Sequence, residues 1–187
     1  MELKTLNEIE IISAPHSKIS EVDFENLTFG NVFTDHMLVC DYVDGAWQKP
    51  VIEPYAPFMI DPSAKVFHYG QAIFEGMKAY KDEQDDVWLF RPDENYHRFN
   101  KSATRMAMPE VPEDIFLGGL HRLLEIEKEW VKKGKGNTLY IRPFMIATGH
   151  GVIAAPSQEY RFMIILSPAR AYYSGEVKVI IAEHYSR

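Results

Sequence analysis

The chain has 187 residues, 46% of them apolar and 13% aromatic, enough to bury the core of one large domain, or of one domain and the beginning of a second. Its net charge of −7 argues against nucleic-acid binding, which needs clustered Lys and Arg. The single cysteine, Cys40, excludes an internal disulfide and a multi-cysteine metal site, and predicts a reducing, cytoplasmic setting. The acidic N-terminus does not resemble a signal peptide, and no apolar run approaches the ~20 residues of a membrane span, so we expect no membrane partner.

The first half of the chain predicts an N-terminal arm followed by two hairpins. Residues 1–28 show no firm period, and we interpret them as an arm that contains one helix or strand. The predicted strands are 36–43 and 46–52, joined by the turn pair Asp44-Gly45, then 76–81 and 87–90, joined by a polar loop.

The second half predicts two helices and then further strands. The helices run from Asp93 to Met106 and from Pro112 to the last turn with Lys132 and Lys133, and Gly118-Gly119 predicts a kink or close packing in the second. The predicted strands are 139–147, 160–166 and 177–185. The fold class is therefore α/β in the α+β sense: a small domain of mainly antiparallel strands with flanking helices (1–167), an interdomain linker (168–176) and the first strand of a second domain (177–187).

Motifs for hydrolytic and metal chemistry are missing from the sequence. There is no G-x-S-x-G, H-E-x-x-H or phosphate-loop pattern, and the histidines lie at no spacing that metal sites use. The segment HYGQAIFEG (68–76) predicts a helix of one or two turns that leads to a strand opening at Gly76. Tyr69 and Phe74, five residues apart on such a helix, project roughly 140° from each other, so they serve either two cavities or the core.

Two arginines are candidates for anion binding. Tyr140 and Arg142 alternate on a strand, so they share a face of the sheet, where an arginine beside a tyrosine can bind a carboxylate or lie on a solvated surface. Pro143 predicts an edge or a bulge next to them. Arg98 shares a helix face with Ser102 and Arg105, which fits either a phosphate-binding arginine or a solvent-facing basic stripe.

Five stretches, taken together, resemble the branched-chain aminotransferases of the fold-type IV pyridoxal-phosphate enzymes. They follow in the same order with short gaps and cover nearly everything from Phe24 onward. The stretches are FGNVFTDHMLV (29–39), HYGQAIFEGMKAYK (68–81), LFRPDENYHRFNKSATRM (89–106), LYIRPFMIAT (139–148) and YRFMIILSPARAYY (160–173).

This resemblance implies roles for individual residues. Arg98 is expected to bind the phosphate of pyridoxal 5'-phosphate. Arg142 is expected to meet the distal carboxylate of glutamate, and Tyr69 to reach into the pocket of the partner subunit of a homodimer. The remaining expected substrate-binding residues are Phe29, Phe74 and Tyr140 as aromatic walls, Val152 and Ala154 as walls in the loop 149–157, and Tyr172 as an interdomain residue that closes over substrate.

The chain departs from the family pattern in two ways. Ile153 stands where glycine is usual, which affects the wall formed by the loop 149–157. The Schiff-base lysine of the family is expected beyond Arg187, in the large cofactor domain, so no catalytic residue is assigned within the chain. Lys78 lies near the motif, but on a predicted strand whose alternation puts it opposite Met77 and Ala79, and Lys65, Lys101 and Lys178 lack the glycine-rich context that such a lysine has.

The resemblance implies a transaminase that moves amino groups between branched-chain amino acids (Leu, Ile, Val) and 2-oxoglutarate, with glutamate as the other product. The isolated chain is expected to be inactive. The alternatives are a non-catalytic binding or dimerisation module derived from this fold, and another type IV enzyme such as a D-amino-acid aminotransferase or aminodeoxychorismate lyase.

Overall fold

A computed structural model describes residues 9–170 and 176–181 of the protein. The strands are β1 (Glu10–Ile11), β2 (His36–Val43), β3 (Ala46–Trp47), β4 (Val51–Pro54), β5 (Ala72–Phe74), β6 (Met77–Lys81), β7 (Val87–Leu89), β8 (Thr138–Ala147) and β9 (Tyr160–Ala169). The α-helices are α1 (Lys65–Tyr69), α2 (Pro92–Arg105) and α3 (Gly119–Ile126). A π-helical turn (Asp114–Gly118) precedes α3, and 3-10 turns lie at Ile19–Glu21 and Lys128–Trp130. No helix in these described ranges has the length and apolarity to cross a membrane.

All of these strands join one sheet in the order β1-β4-β2-β9-β8-β6-β7, with β3 paired to β2 and β5 paired to β8. The β1–β4 pair is parallel, and the other pairs are antiparallel. The predicted fold class, a mainly antiparallel sheet with flanking helices, is confirmed. The first hairpin is confirmed too: Asp44 and Gly45 have φ of 53° and 77°, as a two-residue primed turn requires.

One face of the sheet is covered by α2, the π-helical turn and α3. Phe99 from α2 and Phe116 from the turn pack against Phe162 of β9, with ring centroids 5.5 Å from that ring in both cases. Gly119 lies so close to β2 that a Cβ there would be 2.8 Å from a methyl carbon of Leu38. The close packing predicted for the glycine pair is therefore observed, and it holds the helical layer against the sheet.

Two elements predicted for the second half of the chain are wrong. The helix expected from Pro112 to Lys133 ends at Ile126, and Lys132 and Lys133 lie beyond it. Trp130 and Val131 turn into the core instead, because burying these two side chains stabilises the fold more than two further helical turns would. Residues 177–181 are exposed and form no strand. A strand needs a neighbour to receive its backbone hydrogen bonds, and the described residues offer 177–181 none. Residues 182–185 of the same prediction lie outside the described ranges.

A polar cluster fastens the N-terminal arm to the sheet. Asp35, 6% exposed, accepts hydrogen bonds from Ser17 Oγ (2.5 Å), the Lys18 amide (2.8 Å) and Trp130 Nε1 (3.1 Å). Burial alone would raise the pKa of Asp35, but these donors outweigh it and lower that pKa. Beside it, His36 Nδ1 pairs with the buried carboxylate of Glu127, whose pKa burial raises.

The single cysteine lies inside β2. Cys40 is 1% exposed, and its thiol donates to the Gln48 carbonyl at 3.2 Å. Burial raises the pKa of this thiol to about 12, so it remains protonated in the folded protein at neutral pH.

Candidate functional site

Strand β8 divides its side chains between the two faces of the sheet. Leu139, Ile141 and Met145 are fully buried in the core beneath the helices. Tyr140 and Arg142 alternate with them and are half-buried on the opposite face. The prediction that Tyr140 and Arg142 share a face is confirmed, and the candidate site lies on the side away from the helical layer.

Pro143 was expected at an edge or a bulge, and the edge is excluded because β8 is an interior strand between β9 and the β5/β6 side. It marks an interruption on that second side. β6 pairs with β8 up to Ile141 and β5 pairs with it from Phe144, and the carbonyl of Pro143 accepts the Glu75 amide at 2.9 Å in the link between them. The N and O of a strand residue point to one side, so the missing N–H of proline falls where no ladder bond is needed.

Four predicted substrate-binding residues meet in what we call the aromatic–arginine cluster: Phe29, Phe74, Tyr140 and Arg142. Arg142 donates to the Tyr140 hydroxyl through Nε (3.1 Å) and Nη2 (2.7 Å). Its guanidinium carbon lies 4.2 Å from the centroid of the Phe74 ring. Phe29 meets Tyr140 edge-on, with ring centroids 5.0 Å apart. A fixed positive charge thus borders two aromatic rings, Phe74 and Tyr140, and a third ring, Phe29, packs on Tyr140.

The helix expected to carry both Tyr69 and Phe74 is not formed. Helix α1 ends at Tyr69, because Gly70 adopts the left-handed conformation (φ 62°), and Phe74 lies on β5 opposite Phe144. The two side chains still serve different places, since Phe74 joins the cluster and Tyr69 points to the loop 149–157. After β5, a Cβ on Gly76 would lie 2.5 Å from the Tyr140 hydroxyl oxygen, so glycine makes room for that hydroxyl.

Arg98, the expected phosphate ligand, is held by Glu75. The Nε and Nη2 atoms of Arg98 each donate to a carboxylate oxygen of Glu75 at 2.8 Å, and Asn95 Nδ2 donates to the same carboxylate at 2.9 Å. Burial raises the pKa of Glu75, but the hydrogen bonds from Arg98 and Asn95 outweigh it, so the pKa is lowered. The Arg98 side chain remains 60% exposed. Glu75 directly follows Phe74 in the chain, and both of its partners, Asn95 and Arg98, lie on α2.

The loop 149–157 carries the other predicted walls. The Tyr69 hydroxyl donates to the Val152 carbonyl, and the side chains of Val152 and Ile153 are 66% and 76% exposed. Ala154 is exposed as well. Tyr69 and Val152 therefore form one surface. Tyr172, the remaining predicted site residue, lies outside the described residues.

Two residues near the site were missed from the sequence. Glu75 binds a partner 23 positions away, and Lys65 binds the loop 149–157 through carbonyls 88 and 90 positions away. The signal available for Glu75 was an acid placed between a site aromatic and a site glycine. The sequence carries no local signal for Lys65, because its partners are backbone atoms.

Sequence relatives place the chain among known proteins, although no family model matches it. Over 170 residues it is 49% identical to branched-chain-amino-acid transaminase 1 of Bacillus subtilis, covering 88% of this chain and 48% of that protein. The resemblance to the branched-chain aminotransferases is confirmed. A branched-chain-amino-acid aminotransferase of Mycolicibacterium smegmatis is 44% identical over 164 residues, covering 87% of this chain and 45% of that protein. The chain spans about half the length of these relatives.

Solved structures of the branched-chain aminotransferases share the fold at low sequence identity. The enzyme of Thermoproteus uzoniensis with norvaline superposes with a TM-score of 0.54 at 17% identity, covering 71% of this chain and 41% of that one. The pyridoxal-phosphate form of the Thermobaculum terrenum enzyme gives 0.52 at 19%, covering 72% and 40%.

Proposed function

We propose that this chain is part of a pyridoxal-phosphate transaminase that moves amino groups between leucine, isoleucine or valine and 2-oxoglutarate. The single observation that carries the proposal is the aromatic–arginine cluster, found in a chain whose relatives are named branched-chain-amino-acid transaminases. Apolar walls favour aliphatic side chains, whereas glutamate and 2-oxoglutarate bring a second carboxylate that needs a fixed cation. One pocket with both features accepts both kinds of substrate.

Arg142 is the group that would hold the distal carboxylate. Its guanidinium is oriented by two hydrogen bonds to Tyr140 and by the Phe74 ring, so little side-chain freedom remains to be lost on binding. Phe29 packs on the edge of Tyr140 and restrains the tyrosine in turn. The chain therefore contributes substrate binding and orientation.

Arg98 fits the phosphate of the cofactor. A guanidinium has five N–H donors, and two of them bind Glu75, while the side chain remains 60% exposed, so other donors can reach an anion. When bound, the cofactor supplies the aldehyde group that takes up an amino group from one substrate and releases it to the other. Glu75 and Asn95 fix the direction from which Arg98 would approach the phosphate.

Tyr69 and the loop 149–157 support the homodimer that the resemblance implies. Tyr69, Val152 and Ile153 are exposed, and the bond from the Tyr69 hydroxyl to the Val152 carbonyl joins the two segments in one surface. We propose that this surface lines the pocket of a second copy. The free thiol of Cys40 fits a reducing cytoplasm, which we likewise propose.

The assignment of the cofactor is tested by borohydride reduction and intact mass. We expect the 187-residue chain, incubated with pyridoxal phosphate, to keep its own mass, and the whole protein to gain one phosphopyridoxyl group and to form glutamate from leucine and 2-oxoglutarate. A single specific adduct on the 187-residue chain would show that one of its own lysines holds the cofactor. A whole protein without transfer would overturn the proposed function.

The role of Arg142 is tested by Arg142→Met in the whole protein. Loss of a charged hydrogen-bonding partner is expected to lower kcat/KM for 2-oxoglutarate by about 10- to 100-fold and that for leucine much less. Arg122→Met is the matched control, because Arg122 forms only an exposed pair with Glu125 on α3 in the described structure. Equal losses for both substrates would contradict the assigned role.

A further inference from the structure

Helix α1 and Ser63, two residues before its start, bind the loop 149–157 through the backbone of that loop. Ser63 Oγ accepts the Gly151 amide at 3.1 Å, and the Lys65 amide donates to the Gly149 carbonyl at 3.1 Å. The Lys65 ammonium donates to the carbonyls of Ile153 at 2.9 Å and Ala155 at 2.7 Å. Together with the Tyr69 hydroxyl on Val152, these bonds hold the loop at successive positions.

The base and the tip of this loop are fastened by different residues. Ser157 holds the base: its Oγ donates to the Glu159 carbonyl at 2.7 Å and accepts the Gly149 amide at 3.2 Å, and its own amide donates to Gln71 at 3.1 Å. The tip contains no helix or strand, and its side chains are exposed, so packing does not determine its course. The course of the tip depends on Ser63, Tyr69 and Lys65.

Lys65 is unusual for a lysine because it is only 8% exposed. A buried ammonium needs hydrogen-bond acceptors, and here they are two carbonyls that flank Ala154 on either side. Fixing residues 153 and 155 also fixes the directions of the side chains between and beside them. Those side chains include the two predicted wall residues, Val152 and Ala154.

We propose that Lys65 is a positioning residue that sets substrate side-chain discrimination by fixing the tip of the loop 149–157. This inference rests on the proposed function, in which Val152 and Ala154 contact the substrate side chain. Lys65 itself touches neither substrate nor cofactor. Its ammonium determines how far the wall stands from the pocket, and therefore how well the enzyme separates leucine from the smaller valine.

The test compares Lys65→Met, which keeps the length of the side chain without donors, with Lys65→Arg, which keeps charged donors. Lys49→Met is the control, since Lys49 is exposed before β4 and away from the loop. Amide hydrogen exchange on the chain reports the loop directly. We expect Lys65→Met to accelerate exchange about tenfold or more at the two tip amides that donate hydrogen bonds, Gly151 to Ser63 and Ala155 to Ile153, while β8 and β9 remain protected, and Lys65→Arg to restore slow exchange.

The second readout is kinetic and uses the whole protein. Lys65→Met is expected to change the ratio of kcat/KM for leucine to that for valine by about tenfold, comparable to the effect of one methylene in an apolar pocket, and to leave kcat for 2-oxoglutarate nearly constant. If Lys65→Met does not fold, Lys65→Gln, with a shorter side chain and a neutral donor, gives the same comparison with a smaller shift.

The outcomes separate the two proposals. Unchanged exchange in Lys65→Met overturns the inference whatever the activity of the protein. Faster exchange with an unchanged leucine-to-valine ratio overturns the link to specificity. A wild-type protein that transfers no amino group overturns the proposed function and, with it, the specificity role. The hydrogen-exchange experiment then still decides whether Lys65 holds the loop.

Discussion

The two faces of the sheet are built on different principles. Under the helices, Phe99, Phe116 and Phe162 are fully buried in mutual ring contact. On the opposite face, Phe74 is 57% exposed and its ring faces an arginine. The helical face contributes to stability through packing, whereas the open face keeps aromatic surface accessible for a ligand. Substitutions of the same type should therefore have different effects on the two faces.

Truncation of a phenylalanine on each face should give the largest difference. Phe116→Ala removes a ring from the centre of the core and is expected to lower the free energy of unfolding by about 3–5 kcal/mol. Phe74→Ala removes a half-exposed ring and should cost well under half of that. Urea unfolding followed by circular dichroism measures both. Similar losses would mean that the open face also carries the stability of the domain.

Glycine-to-alanine changes should give an intermediate effect. Gly119→Ala places a methyl group 2.8 Å from Leu38 in a packed interior, so we expect a loss of about 1–3 kcal/mol. Leu38→Ala in the same chain should relieve the conflict, so the two losses should not add. Gly76→Ala meets only the Tyr140 side chain, its hydroxyl oxygen at 2.5 Å and two ring carbons at 3.3 Å, and this side chain can shift toward the open face at the expense of its bonds to Arg142. It should unfold close to wild type, with the environment of Tyr140 changed in its NMR or near-UV signal.

The smallest expected effect concerns the polar cluster that fastens the arm. Since the pKa of Asp35 is lowered in the folded state, its ionised form contributes stability above the ordinary carboxyl pKa, and this contribution is lost as pH falls through the lower folded value. Asp35→Asn cannot ionise and should flatten the loss of stability between about pH 5 and about pH 2. Urea midpoints across this range measure it, with the exposed Asp93→Asn as control. If the urea midpoint of Asp35→Asn falls with pH as steeply as that of the wild type, ionisation of Asp35 does not contribute to the pH dependence of stability.

The elements that were predicted correctly are those with local signals. Asp44-Gly45 fixed the first hairpin, and Pro92 with the acids after it marks the start of α2. The errors arose where a distant partner decides. Phe74 becomes a strand residue because β8 offers it a neighbour, and the chain leaves the helix after Ile126 because Trp130 finds a place in the core and on Asp35. Neither partner is visible in a local window.

The candidate site shows the same division. Periodicity placed Tyr140 and Arg142 on one face, but only the family resemblance connected them with Phe29 and Phe74, which come from other parts of the chain. Neither periodicity nor the family resemblance predicted the roles of Glu75 and Lys65. Their importance depends on a carboxylate facing Arg98 and on an ammonium facing backbone carbonyls, and such pairings exist only after the chain has folded.

The buried position of Cys40 allows its reactivity to report local opening of the sheet. The thiol lies in β2, nearly inaccessible and protonated, so a thiol-directed reagent reacts only with molecules in which β2 has separated from the neighbouring strands or from the helical layer packed on it. The rate of modification at low denaturant then gives the free energy of that separation without any introduced label. Comparison with the global free energy of unfolding would show whether this strand opens alone or only when the whole sheet does.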